Sequence, residues 1–205
     1  MPGRELTRPP RNTLKAEPRW DVPSPYGYAA AIDSMGSISA PLLAGFSFTL
    51  AVLVLSSGAS PARWPNASIF LLIAGAFALI SSVQFSFRAR LYVVTPSEIE
   101  EWWPDPSETA TRDHLRRVQR DHRRSFRRWS TPARYSYDLG LLCFLLGVTS
   151  LLAPRAGHVS DGRLAVVALA LAAFVGELLW IALSNSPRKL SGLPEVGPEW
   201  KPKKR

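Results

Sequence analysis

From Ser34 to Ala62 the chain reads SMGSISAPLLAGFSFTLAVLVLSSGASPA, 29 consecutive residues without a charge. Trp64 to Phe87 follows as WPNASIFLLIAGAFALISSVQFSF, another 24. A helix that faces water needs polar residues on every turn or two, whereas an uncharged apolar run of ~18 residues or more is long enough to cross a bilayer. Arg63 alone separates the two runs, so together they predict a membrane hairpin with a short connection.

Working outward, two more such segments lie downstream. One starts near Tyr135 and is apolar from Leu139 onward. The other begins at Leu164 and is interrupted only by Glu177. The expected spans are 37–57, 68–87, 135–152 and 164–183, each ~27–31 Å long at the helical rise. The expected fold class is therefore all-α: a polytopic membrane protein with four transmembrane helices arranged as two hairpins, and a cytoplasmic amphipathic helical segment between them. At 205 residues, 46% hydrophobic and 20% charged, the whole chain has the averages of a soluble domain. The segregation of apolar from charged residues excludes that class. Cys143 is the only cysteine, which excludes disulfide frameworks and cysteine-based metal sites.

The charges give the orientation. Of 25 Lys and Arg residues, 22 lie before the first span, between residues 88 and 134, or after the last span. The two opposite loops hold only Arg63, Arg155 and Arg163. Positive residues stay on the cytoplasmic side during insertion, so both termini and the central segment are expected there. The segments are then 1–33, a cytoplasmic and mostly disordered tail; 34–87, the first hairpin; 88–134, the cytoplasmic helical segment; 135–183, the second hairpin; and 184–205, a basic cytoplasmic tail. The N-terminal stretch is polar and Pro-rich, so the first span is expected to be an uncleaved anchor. Arginine outnumbers lysine twenty to five and alanine is abundant, a bias that fits a GC-rich bacterial genome and an inner membrane.

The central segment carries two helix-start signatures, Thr95-Pro96-Ser97-Glu98 and Asp105-Pro106-Ser107-Glu108. Each has a capping oxygen, a proline at the first helical position and a glutamate three residues after the cap. The first helix is short and ends in Trp102 and Trp103, rings that favour the headgroup level. The second is expected from Pro106 to Trp129. Leu115, Val118, His122, Phe126 and Trp129 share one face, while Arg116, Arg117, Arg120, Arg123, Arg124, Arg127 and Arg128 occupy the rest. A helix of this pattern lies in a membrane interface, and the arginines together with Trp102, Trp103 and Trp129 form the expected membrane-surface or partner-binding set. His114 and His122 stand ~12 Å apart along the axis, too far to share one metal ion. Ion pairs Glu108 with Arg112, Asp113 with Arg117 and Arg117 with Asp121 are expected on its surface.

Within the spans, small residues recur at helical spacing: Ala40, Ala44, Ser47 and Ala51; Gly75, Ala78 and Ser82; Gly140, Cys143, Gly147 and Ser150; Ala165, Ala168, Ala172 and Gly176. Small residues let helix backbones approach in lipid, so these stripes are expected to be the bundle seams. Glu177, Asp138 and Gln84 all fall in the cytoplasmic half and are expected to form a polar layer, a possible ion or proton site. An ionised carboxylate at the depth of Glu177 costs ~2–3 kcal/mol, so it must be neutral, paired or facing water.

No Gly-rich phosphate loop, zinc-protease histidine pair or serine elbow is present, and no span holds His or Lys. No catalytic residue, cofactor or metal is expected. The functional expectation is a non-catalytic inner-membrane scaffold or interaction protein with a basic membrane-surface helix. Its partners would be the bilayer, anionic lipid headgroups and other copies of itself. The alternative is an oligomeric ion or proton channel or transporter subunit using Glu177. Nucleic acid is not an expected partner, because topology and lipid account for the arginines.

Overall fold

The computed structural model describes residues 27–56, 63–102, 109–154 and 161–185. Its helices are α1 (Tyr28–Ser34), α2 (Ala40–Ser56), α3 (Pro65–Arg90), α4 (Pro96–Trp102), α5 (Thr109–Leu152) and α6 (Asp161–Asn185), and a π turn at Met35–Ser39 joins α1 to α2. Four stretches are long and apolar enough to cross a membrane: Tyr28–Ser56, Pro65–Arg90, Asp113–Leu152 and Leu164–Ser184.

Two of these differ in extent from the sequence reading. The first helix starts at Tyr28, inside the segment expected to be a disordered tail. Tyr28-Ala-Ala-Ala-Ile is a good helix-forming run, and Asp33 ends the uncharged stretch without ending the helix. In the second case, the basic helix and the third span are one uninterrupted helix of 44 residues, ~66 Å of axis. Pro132 sits in its interior and removes one backbone donor. Around it the Thr131 and Ser130 hydroxyls donate back to the Arg127 carbonyl at 2.9 and 3.4 Å. A helix lying in the interface plane would need a break near residue 130, and α5 has none.

The chain forms two compact units. Unit 1 comprises Met1–Phe46 and Phe77–Tyr137; unit 2 comprises Ser47–Ala76 and Asp138–Arg205.

In unit 1, α1 with the start of α2 runs antiparallel to α3. Gly36 packs on Ser86, Asp33 meets Arg90, and Ala40, Ala44 and Leu79 form a cluster with Leu43, Val83 and Tyr137 around it. The buried face steps Ile32, Gly36, Ala40, Ala44, four residues at a time. At 3.6 residues per turn each such step overshoots by about 40°. The π turn, with its wider i to i+5 closure, turns less per residue and brings the row back into line. α3 also runs antiparallel to α5, where the Ser82 hydroxyl donates to the Ala133 carbonyl at 2.8 Å.

The buried face of α3 is continuous in sequence: Ser68, Leu72, Ala76, Leu79, Ser82, Ser86 and Ala89 are all shielded from solvent. Its three serines permit the close approach that helix association in lipid requires.

In unit 2, α3 and α5 pack through glycines. A Cβ on Gly75 would lie 3.1 Å from the Gly140 carbonyl oxygen and 3.2 Å from both Cys143 Cβ and the Phe144 nitrogen. A Cβ on Gly147 would meet Leu72 Cγ at 3.1 Å. At one end of this pair the Arg63 amide donates to the Ala153 carbonyl at 3.3 Å. The expected seams of α2, α3 and α5 are thus buried or half-buried. That of α6 is not. Ala165, Ala168, Ala172 and Gly176 are exposed, and the less exposed face is Val167, Ala170, Phe174, Glu177 and Ile181. Small residues permit close packing but do not demand it, and on α6 the row that includes Glu177 is the less exposed one, while most of its bulky side chains, Leu169 and Trp180 among them, are exposed.

Candidate functional site: an arginine face on α5

Of the five residues read onto the apolar face of the basic helix, four have partners within unit 1, and Val118 is exposed. Leu115 is buried against Val94. His122 meets the Tyr92 ring edge-on at 6.0 Å, and Phe126 meets the Tyr28 ring edge-on at 5.8 Å. Trp129 stacks on Phe85 at 6.2 Å and carries the Arg88 guanidinium 5.8 Å above its ring. The Tyr28 hydroxyl donates to Ser130 Oγ at 3.5 Å. Edge-on and stacked aromatic pairs add ~0.5–1.5 kcal/mol beyond area burial, and a cation over a ring adds ~0.5–1. The face expected to dip into the membrane therefore has partners in α1, in α3 and in the residues just after α3. The Arg90 guanidinium lies 2.8 Å from Asp33 and adds an exposed ion pair between the same elements.

Clamping one face orients the other. Arg117, Arg120, Arg124, Arg127 and Arg128 are exposed, while Arg116 and Arg123 are half-exposed. Arg120, Arg123, Arg124 and Arg127 line an open cleft of about 310 Å³. Arg120 Nε donates to the Arg116 carbonyl at 3.3 Å. Asp121 pairs with Arg124 at 3.6 Å, in place of the expected pairing with Arg117. Both partners are largely exposed, so solvent screens this pair.

α4 forms as its capping signature requires. The Thr95 amide and hydroxyl donate to Glu98 Oε2 at 2.7 and 2.9 Å, and the Glu98 amide donates back to Thr95 Oγ1 at 3.4 Å. The Thr95 amide, and then its hydroxyl, hold the Glu98 carboxyl below the ordinary glutamate pKa. A lowered folded-state pKa gives stability that is present above the unfolded value and lost as pH falls through the folded one. The Thr95 amide is accordingly expected to lose hydrogen-exchange protection as pH falls below the usual glutamate range, and Glu98→Gln should remove that pH dependence. Trp102, at the end of α4, is exposed. Trp103 and the second capping signature at 105–108 lie outside the described residues.

Of the three residues expected in a polar layer, Gln84 lies in unit 1 and Asp138 and Glu177 lie in unit 2. Gln84 is exposed, on the side of α3 away from Ser82 and Ser86, and belongs to unit 1. Its position near the end of the span gave depth but not direction. Asp138 and Glu177 belong to unit 2, and both are half-buried. One Asp138 carboxylate oxygen is shielded from solvent. Because Glu177 lies on the less exposed face of α6, Glu177→Lys is expected to lower the yield of inserted protein or expel the last span. A lysine at a span's centre costs ~2.5–3.5 kcal/mol. Normal yield and protease-protection pattern for this variant would show that the position faces water. Among the described residues no three His, Cys, Asp or Glu side chains come together as metal ligands.

The aromatic partners Tyr28, Phe85 and Tyr92 were not picked out by the sequence reading. The signal was the helical spacing of Phe85 and Tyr92, which continues the α3 face past the last uncharged residue. No family model, no curated protein and no solved structure matches the chain.

Proposed function

We propose that the protein is a non-catalytic, multi-pass inner-membrane protein whose termini and central segment face the cytoplasm, and whose α5 presents arginines to anionic lipid headgroups. The observation that carries this reading is the aromatic clamp. With its apolar face seated on Tyr28, Phe85, Tyr92 and Val94, the helix does not need the bilayer to cover it, and its arginines are held outward on a fixed backbone. Fixing a helix before it binds removes the ordering cost that a loose basic segment would meet on contact. The uneven placement of Lys and Arg along the chain supports the orientation.

A second reading is favoured by one observation, the half-buried Glu177 on the less exposed side of α6. In it, oligomers conduct protons or cations past that carboxyl. The two are separated by proton and monovalent-cation flux in liposomes holding wild type or Glu177→Gln, with the oligomeric state measured on the same sample. The scaffold reading expects no flux above empty liposomes from either protein. Flux that Glu177→Gln abolishes would overturn it in favour of conduction.

A further inference from the structure

We infer that the outer side of α3 in unit 1 docks a second copy of the chain, with the Gln84 amides of the two copies bonded to each other across a twofold axis. This rests on the multi-pass reading just given and adds a partner to it. Phe77, Ile80, Gln84 and Phe87 are exposed and follow i, i+3, i+7, i+10 spacing, so they share one side of α3 over ~15 Å of axis. The opposite side is the buried one, with Leu79, Ser82, Ser86 and Ala89. A row of Phe and Ile alone would be an ordinary lipid-facing side. Gln84 makes it something else. It lies one turn before Arg88, inside the apolar run, and none of the described residues gives its amide a hydrogen bond. The neighbouring Ser81 meets the same problem locally, by donating to the Phe77 carbonyl at 2.9 Å. The amide of Gln84 has two N–H donors and a carbonyl acceptor, and hydrocarbon satisfies none of them.

The choice of a second copy follows from symmetry. Copies inserted in one orientation can meet about a twofold axis only if that axis runs along the membrane normal, and each seam residue then faces its own counterpart at the same depth. A carboxylate or a guanidinium at position 84 would meet like charge there. An amide is donor and acceptor at once, so two of them can exchange hydrogen bonds, as polar side chains do between membrane helices. Steps of 3, 4 and 3 residues are those of a left-handed helix pair crossing at about 20°, and a single polar residue in such a seam fixes register and copy number. Arg88 does not intrude on the seam. Its guanidinium sits 5.8 Å over the Trp129 ring of the same chain, on the side of α3 where Phe85 stacks.

The test uses full-length protein in liposomes, with donor- and acceptor-labelled copies read by resonance energy transfer over a series of lipid-to-protein ratios. Wild type is expected to form dimers. Gln84→Leu should weaken dimerisation about tenfold, which corresponds to ~1.4 kcal/mol. Gln84→Asn keeps an amide and should lose less. Ile80→Cys, in a Cys143→Ser background, should cross-link to a second copy on mild oxidation, whereas Leu169→Cys, exposed on α6, should not. Undiminished transfer in Gln84→Leu would overturn the amide pairing. Monomer at every ratio, cross-linking through Leu169→Cys in place of Ile80→Cys, or assemblies of more than two copies would overturn the interface. Insertion is read on the same liposomes by alkaline carbonate. Extraction would overturn the multi-pass reading and the dimer with it, whereas protein that stays inserted as a monomer would overturn the dimer alone.

Discussion

Gly36→Ala is expected to cost about 3 kcal/mol, the upper end of what one added methyl does in a packed interior. A Cβ at Gly36 would overlap Ser86 Cβ outright and lie 2.7 Å from Ser86 Oγ. The obstructing carbon is bonded directly to the α3 backbone, so no rotamer change clears it. Either the helices separate or α3 shifts. Separation would also pull apart the Asp33–Arg90 pair one turn away. The check is the thermal melting point of purified protein in detergent, with Gly36→Ala/Ser86→Gly as the second variant. Moving the Cβ from one helix to the other refills the same space, so the double variant should regain most of the loss, less ~1 kcal/mol for a glycine within α3. A double variant as unstable as Gly36→Ala would mean that the contact is not what limits this position.

The second large effect is at Gly75, where the obstruction is backbone rather than side chain. Gly75→Val is expected to destabilise by ~3 kcal/mol or more, because the nearest atoms are the Gly140 carbonyl oxygen and the Phe144 amide nitrogen. The α3 and α5 axes must part, and Leu72, fully buried against Gly147, parts with them. Gly176 provides the control with the opposite sign. Nothing lies within 4 Å of a Cβ there. Gly176→Ala should therefore stabilise α6 by ~0.5–1 kcal/mol through propensity alone. Melting curves that moved together for Gly75→Val and Gly176→Ala would sink the distinction between a seam glycine and a free one.

These glycines show what the sequence makes legible. Four membrane-length helices follow from uninterrupted apolar length, a one-dimensional property that the chain displays directly. The buried rows of α2, α3 and α5 were legible for a related reason, since Ala, Ser and Gly at helical spacing are costly to leave without a purpose in all three helices. The α6 row had the same spacing and faces outward, because spacing identifies a face without saying which face finds a partner. The arginine face was legible as composition, but its clamp was not. Phe126 meeting Tyr28 and Trp129 meeting Phe85 are pairings across 98 and 44 residues, respectively. No local pattern contains them. The boundary of α1 was missed because Asp33 looks like the end of a span when read alone, and becomes tolerable only once Arg90 is beside it.

The π turn at Met35–Ser39 has a consequence for residue counting. A π turn is an α-helix with one residue too many, so deleting Ser37 should restore a regular helix through this point. Everything upstream would then keep its face to within ~20°, because the residue removed is the one that the wider turn absorbs. Tyr28 would stay beside Phe126 and Ser130, and Asp33 beside Arg90. The turn thus holds one residue in reserve: the clamp on the arginine helix should survive a single-codon deletion in this segment, whereas a second deletion there would rotate everything upstream by about 100° and advance it by ~1.5 Å.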